Sequence, residues 1–161
     1  MNSKFEIKKA TEKDLPVIFS LVRSLAEHVN LTDEVSAEAE DLHKYLFGTN
    51  GFVEALIGYY ETQPVAMLIF YPSFSTFIGK PAIHIEDFYI KAEFRNMGIG
   101  TTLFKYLAEL ALSRDCGKIE WYAAEWNEEA LKFYTKMGAE KLEKRKLFRL
   151  LVNSMKKLIN E

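Results

Sequence analysis

The 161-residue sequence has few residues that could form covalent or metal cross-links. It contains one cysteine, Cys116, and three histidines at positions 28, 43 and 84. A single cysteine excludes an internal disulfide framework and a zinc site with several cysteine ligands. The histidines lack the spacing of metal ligands, so we expect no metal site.

Long apolar segments and a charge excess are also missing. The longest apolar run, 65–71, ends at Pro72 and is too short to cross a membrane. Residues 1–14 lack the apolar region of a secretory signal. With 21 Lys and Arg against 23 Asp and Glu, the chain has no basic excess for nucleic acid. We expect one soluble, cytoplasmic domain over 1–161, with neither nucleic acid nor membrane as a partner.

What the sequence does contain is an ordered alternation of strand and helix patterns. Hydrophobic periodicity predicts strands at 5–8, 52–60, 65–71, 81–90, 118–123, 139–142 and 147–152. It predicts helices at about 11–28, 36–47, 100–114 and 127–138. We expect 72–79 to be a loop and 154–160 a polar tail. The order predicts an α/β domain built on one sheet.

The most informative motif is a glycine turn between a strand and a helix. It reads Arg95-x-x-Gly98-x-Gly100 and follows the strand 84–90. Glycines there allow backbone to approach a ligand, and a helix start offers unpaired N–H groups to phosphate. The motif is neither the dinucleotide fingerprint nor a P-loop. From the glycines alone, a plain connecting turn is an equal alternative.

This motif resembles the acetyl-CoA pyrophosphate loop of the GNAT acyltransferases, and the order of elements is similar to that fold. The stretches 85–90, 124–127, 133–134 and 138–139 resemble the branch that acetylates spermidine, spermine and thialysine, and 24–27 with 31–33 fit the same branch. The resemblance implies a GNAT acyl-CoA N-acyltransferase fold, with a mixed, mostly antiparallel sheet flanked by helices. It also implies acetyl-CoA as the co-substrate and a homodimer.

The resemblance assigns cofactor contacts to specific positions. The main chain of the strand before the loop would hold the pantetheine arm, at Phe88, Tyr89 and Ile90. The loop would hold the pyrophosphate, at Arg95, Asn96, Met97, Gly98, Ile99, Gly100 and Thr101. Asn127 would cap a helix and touch the CoA, and Lys136 lies in a basic stretch that could meet its phosphates.

Two residues match the family's acid and base. An amine with a pKa near 10 is protonated at neutral pH, so a base must remove a proton, and Glu86 matches that carboxylate. Tyr134 matches the tyrosine near the cofactor sulfur, where a phenol can protonate the leaving thiolate. The alternatives are a solvent-facing Glu86 and a Tyr134 that only packs a helix. Strict alternation puts Asp87 on the opposite face from Glu86.

The resemblance places substrate contacts at His28, Glu86, Trp121 and Glu125. Residues 24–43 carry six acidic side chains and no Lys or Arg, which could attract a cationic amine. Two carboxylates of the polyamine branch are missing, because Val29 and Lys146 stand in their places. A small amine is therefore expected, as a diamine, a polyamine or a lysine-like amino acid, but not a spermine-specific enzyme. The alternatives are a protein or peptide acetyltransferase and a silent acyl-CoA-binding module.

Overall fold

The computed structural model describes residues 4–160. Its centre is one five-stranded sheet in the order β1-β2-β3-β4-β5. The strands are β1 Phe5–Lys9, β2 Glu54–Tyr60, β3 Gln63–Ser75, β4 Lys80–Ile90 and β5 Ile119–Trp121. The first four pair antiparallel, and β5 runs parallel to β4. The predicted mixed, mostly antiparallel sheet is confirmed.

The helices are α1 Leu15–His28, α2 Ala39–Leu46, α3 Ile99–Ser113, α4 Glu128–Lys136 and α5 Val152–Ile159. The chain forms two compact units. The first ends at Tyr122 and contains the sheet with α1, α2 and α3; the second begins at Ala123 and contains α4 and α5. No helix within residues 4–160 is long and apolar enough to span a membrane.

The first helix begins where the sequence predicts it. The backbone N–H and the hydroxyl of Thr11 both donate to the Asp14 carboxylate over 2.8 Å, and one helical turn leads into α1. The apolar stripe of α1 then buries Ile18 and Leu21 in a cluster with sheet residues that include Ile57 and Met67. This burial fixes α1 on one face of the sheet.

The opposite face of the sheet is covered by α3. Leu103, Phe104 and Leu107 are buried along this helix. The Phe104 ring meets Phe88 of β4 edge-on, with 5.1 Å between ring centroids. Side chains of β4 therefore alternate between a face covered by α1 and a face covered by α3.

The predicted loop 72–79 is only partly right: β3 continues through Pro72 to Ser75, and 76–79 form the turn before β4. Pairing of β3 with β2 ends at Phe70, while pairing with β4 continues as Pro72↔Ile83. The Ile83 N–H donates to Lys118 on the β5 side of β4, so Pro72 points its nitrogen to the unpaired edge of β3. A proline is tolerated there since no ladder hydrogen bond is lost.

The second helix is shorter than the predicted 36–47, because it begins at Ala39 with Glu38 as its N-cap. The Glu38 backbone N–H donates to Asp41 over 3.0 Å, and α2 follows at Ala39. The predicted strand 118–123 is also shorter, because β5 spans Ile119–Trp121.

The end of the chain differs most from prediction. The strands predicted at 139–142 and 147–152 are wrong, and residues 154–159 of the predicted polar tail belong to α5. Within residues 140–151 the structure forms no strand, and their side chains are exposed. Val152, Met155 and Ile159 recur at helical spacing, a signal that a short apolar run at 147–152 concealed.

Candidate active site

A β-bulge interrupts β4 at the residue predicted to be the base. Ile69 of β3 pairs with Asp87 and the next residue, Phe70, pairs with Ile85, which leaves Glu86 as the extra residue. Asp87 shares the face of its partner Ile69, which lies in the α1 cluster. The bulge resets the alternation of side chains from this point onward.

Glu86 lies on the same face. Tyr71 pairs with His84 and follows Ile69 by two residues, so its ring is on the α1 side. Glu86 lies near Tyr71, since burial and then the negative charge of Glu86 raise the pKa of the Tyr71 hydroxyl. The expectation that Asp87 faces away from Glu86 is therefore wrong, because strict alternation does not hold across a bulge.

The two carboxylates differ in their exposure. Glu86 is exposed and Asp87 is half-buried. Burial, and secondarily the charge of Glu86, raise the pKa of Asp87 to about 6. A carboxyl group that titrates near neutrality beside a second carboxylate is typical of acid–base sites. The adjacent acidic residues Glu86 and Asp87 were the sequence signal that could have indicated Asp87 as a site residue. The bulge that turns both to one face cannot be recognised from the hydrophobic pattern of the strand.

Beyond the bulge, β4 pairs with β3 alone among the strands that the structure describes, which leaves its other edge open. Pairing with β5 ends at Ile85↔Trp121, whereas pairing with β3 continues to Ile90. The Lys91 N–H donates to Val65 on the β3 side. Because backbone groups alternate, those of Phe88 and Ile90 point to the open edge and those of Tyr89 point to β3. Of the three residues predicted to contact the cofactor through their main chain, Phe88 and Ile90 direct their backbone groups to the open edge, and Tyr89 does not.

The glycine turn after β4 presents backbone N–H groups. Gly98 is the residue before α3 and has a φ of 81°, in the left-handed region, and Asn96 has a φ of 60°. Thr102 is the first residue of the helix whose N–H bonds back, to Gly98. The N–H groups of Ile99, Gly100 and Thr101 therefore stand at the free start of a 15-residue helix. Such a start attracts phosphate through both hydrogen bonds and the helix dipole.

Arg95 ties this turn to the strand. Its Nε donates to the carbonyl oxygen of Ile90 over 3.1 Å. The bond holds the guanidinium at the end of the open edge of β4, close to where α3 begins.

The predicted substrate residues of the first unit fall on different faces. The His28 ring at the end of α1 lies 6.2 Å from the Tyr89 ring, on the face that also carries Asp87. Trp121 packs its ring edge-on against Phe104 of α3 at 5.3 Å, on the opposite face. That packing favours a core role for Trp121 over contact with the substrate.

The second unit carries the remaining predicted residues. Asn127 caps α4, as its side chain accepts a bond from the Ala130 N–H at 3.1 Å. Tyr134 is half-buried within α4, and burial raises its pKa to about 12. Lys136 is the last residue of α4 and is exposed. Glu125 precedes α4 in the chain and is also exposed.

The part of the chain that the structure describes contains no cluster of side chains that could bind a metal ion. Across residues 4–160, no three or more His, Cys, Asp or Glu side chains are grouped to hold an ion.

Comparison with known proteins identifies the family. Residues 20–139 match the model of the acetyltransferase (GNAT) family. The thialysine N-epsilon-acetyltransferase of Bos taurus is 34% identical over 144 residues, covering 84% of this chain and 84% of that protein. The Caenorhabditis elegans enzyme of the same name is 35% identical over 130 residues, covering 81% and 79%.

Solved structures agree on the fold. An integron cassette protein from the mobile metagenome of V. cholerae has a TM-score of 0.81 at 22% identity, covering 99% of this chain and 100% of its own. An aminoglycoside acetyltransferase from an uncultured soil sample has a TM-score of 0.79 at 21% identity, covering 93% and 99%. The chain belongs to the GNAT acetyltransferase family. It is an acetyltransferase enzyme.

Proposed function

We propose that this enzyme transfers the acetyl group of acetyl-CoA directly to the amine of a small substrate, which is a diamine, a polyamine or a lysine-like amino acid. The observation that carries the proposal is the β4 bulge, which brings Glu86 and Asp87 to one face where the open edge of β4 begins. The thialysine acetyltransferase relatives support the substrate class.

The first unit offers a cradle whose chemistry fits acetyl-CoA. Backbone groups of Phe88 and Ile90 would hold the pantetheine arm along the open edge of β4. The N–H groups of 96–101 and the Arg95 guanidinium would hold the pyrophosphate. Asn127 and Lys136 of the second unit would add contacts to the CoA. Acetyl-CoA supplies an acetyl thioester that an amine can attack.

Glu86 would act as the general base. An ammonium with a pKa near 10 must lose a proton before its nitrogen can attack a carbonyl carbon. The exposed Glu86 can accept that proton and lies near Tyr71. Asp87 places a second negative charge on the same face above about pH 6, which would attract the ammonium.

Tyr134 would act as the general acid. Since burial raises its pKa to about 12, the phenol keeps its proton over the whole physiological range. A neutral phenol can donate a hydrogen bond to sulfur as negative charge develops there, and can pass its proton to the leaving thiolate.

The substrate contacts would come from His28, Glu86 and Glu125, with acidic residues of the segment 27–41 attracting the cation. Trp121 would be a further contact, and its ring packs on Phe104 of α3. Val29 and Lys146 in place of two carboxylates disfavour a long polycation such as spermine. We also propose one domain over 1–161, a homodimer and a cytoplasmic location, with neither nucleic acid nor membrane as a partner.

The test is CoA release from acetyl-CoA across putrescine, spermidine, spermine, lysine, thialysine and a lysine-containing peptide. We expect a marked preference for one or a few of the small amines. Activity on the peptide alone would replace the proposal with a peptide acetyltransferase. Acetyl-CoA binding without turnover on any acceptor would contradict the small-amine assignment and favour the acyl-CoA-binding module.

The roles of acid and base are tested on the best amine. Tyr134→Phe should lower kcat by about 100-fold while the dissociation constant of acetyl-CoA stays within twofold. Glu86→Gln should lower kcat/KM by a similar factor. Tyr106→Phe on α3 and Glu6→Gln on β1 alter exposed residues of the same types and serve as controls. Equal loss of turnover and cofactor binding in Tyr134→Phe would contradict its role as the acid.

A further inference from the structure

A row of aromatic rings crosses the sheet on the face that carries the candidate base. We call it the aromatic row; it runs from α2 to the end of β5 and comprises Tyr45, Phe52, Tyr71, His84 and Tyr122. Successive ring centroids are 6.0, 6.3, 5.0 and 5.3 Å apart. All five residues belong to the first unit, so the row is a continuous surface within it.

The centre of the row is His84. Its ring is stacked on Tyr71, with an interplanar angle of 29°, and Tyr122 is tilted against it at 54°. Tyr122 is the residue just after β5 and is 68% exposed. A large aromatic side chain that is held by a neighbouring ring and still open to solvent is suited to contact a ligand.

The row lies next to the candidate base. Glu86 is near enough to Tyr71 for its negative charge to raise the pKa of the Tyr71 hydroxyl, while the Tyr71 ring stacks on His84. His84 precedes Glu86 by two residues in β4, which corresponds to about 7 Å along a strand. Two nitrogens separated by four methylene groups in a staggered chain lie roughly 6 Å apart. An amine at Glu86 can therefore place a second cation over the rings.

At the centre of the row the nearby charges are negative or paired, whereas at its α2 end the Lys44 ammonium lies 5.1 Å from the centroid of the Tyr45 ring. Glu120 lies opposite His84 in β5 and forms an ion pair with Lys118 over 2.6 Å. Lys118 is thereby neutralised, and the negative charge of Glu86 remains on the surface of the row. Aromatic faces attract a cation through the ring quadrupole, and a nearby carboxylate strengthens that attraction.

We propose that Tyr122, Tyr71 and His84 determine substrate specificity by binding the second cationic group of the amine, while Glu86 receives the reacting one. This assignment rests on the proposed function. It supplies a physical replacement for the two carboxylates that the chain lacks at Val29 and Lys146. Aromatic faces hold one cation well but do not pair several charges along a chain, so short dications are favoured over long polycations.

The test compares kcat/KM for putrescine with that for butylamine, which has the same carbon chain and one cation. The wild type should prefer putrescine. Tyr122→Leu should reduce this preference about tenfold through a higher KM for putrescine, with butylamine changed by less than threefold. Tyr122→Phe keeps the ring and should keep the preference within about threefold. Tyr106→Leu removes an exposed tyrosine of α3 as the control.

The outcomes separate this assignment from the proposed function. An unchanged preference in Tyr122→Leu, or an equal loss for both amines, would overturn the role of the row while leaving acetyl transfer to small amines intact. A wild type that releases no CoA with any amine would overturn the proposed function and this assignment together. A loss of preference in Tyr122→Phe as large as in Tyr122→Leu would show that the hydroxyl acts and not the ring.

Discussion

The Nε of Arg95 donates a hydrogen bond to the Ile90 carbonyl oxygen over 3.1 Å. This one bond connects the end of the open-edged strand β4 to the turn that starts α3. It positions a cation where two predicted parts of the cofactor site meet, the pantetheine edge and the pyrophosphate loop. The geometry therefore makes Arg95 both an anchor of the turn and a source of positive charge.

Replacing Arg95 should weaken acetyl-CoA binding. In Arg95→Ala we expect the KM for acetyl-CoA to rise about tenfold, because both the anchor to Ile90 and the charge are lost. Arg95→Lys keeps the charge and should give a smaller rise. Arg23→Ala on α1 is the control, as Arg23 packs on the Phe19 ring. Steady-state kinetics at saturating amine measure the effect, and an unchanged KM in Arg95→Ala would contradict it.

Gly98→Ala should reduce both stability and cofactor affinity. With a φ of 81°, alanine at position 98 is strained by about 1 kcal/mol, and no atom lies within 4 Å of the added Cβ. Gly79 at the β3–β4 turn has a φ of 69° and equally open space, so Gly79→Ala is a matched control. Urea unfolding should show similar losses in both variants. Calorimetry with acetyl-CoA should show weaker binding in Gly98→Ala alone.

Ionisation of Asp87 should lower the free energy of unfolding as pH rises. Its folded-state pKa of about 6 exceeds the ordinary 3.8, so the unfolded chain ionises first and the folded state loses stability between about pH 4 and 6. A rise of the pKa from 3.8 to about 6 corresponds to about 2–3 kcal/mol. Asp87→Asn should therefore raise the free energy of unfolding at pH 7 by that order, with little change at pH 4. The exposed Asp33→Asn is the control, and identical pH profiles of wild type and Asp87→Asn would contradict the prediction.

Glu54 should act with the opposite sign. Arg114 donates two bonds to it, of 2.5 and 2.8 Å, and with Lys9 these lower its pKa from 4.5 to about 2. The stability it contributes is present above pH 4.5 and is lost as pH falls toward 2. Glu54→Gln should cost about 1–2 kcal/mol at pH 7, allowing for solvent screening of a side chain that is 20% exposed.

The control for Glu54 is an ion pair of similar length in solvent. Lys4 and Glu61 are 2.7 Å apart, with Glu61 59% exposed. Glu61→Gln should leave the free energy of unfolding at pH 7 unchanged within error, because exposed pairs contribute little. Urea unfolding at pH 7 and pH 3 compares the two variants. A loss for Glu54→Gln that is equal at both pH values would point to packing instead of charge.

The sequence by itself determined the order of elements from β1 to α4, the cap at Thr11 and Asp14, the glycine turn and the cap at Asn127, because each depends on residues close in the chain. It also indicated the family through Arg95, Gly98 and Gly100. Strand ends and the helix at 152–159 were less predictable, since neighbouring strands and exposed surroundings decide them.

Only the tertiary structure decided the character of the candidate site. The bulge at Glu86 arises from the pairing of β4 with β3, and it turns Asp87 to the face of Glu86 against the expected alternation. The raised pKa of Asp87 comes from burial beneath residues distant in sequence. The aromatic row joins α2, β3, β4 and the end of β5, so no local pattern could reveal it. Local propensity determines which segments form helices and strands. Which side chains share a face of the sheet, and how their charges interact, is determined only when the strands pair.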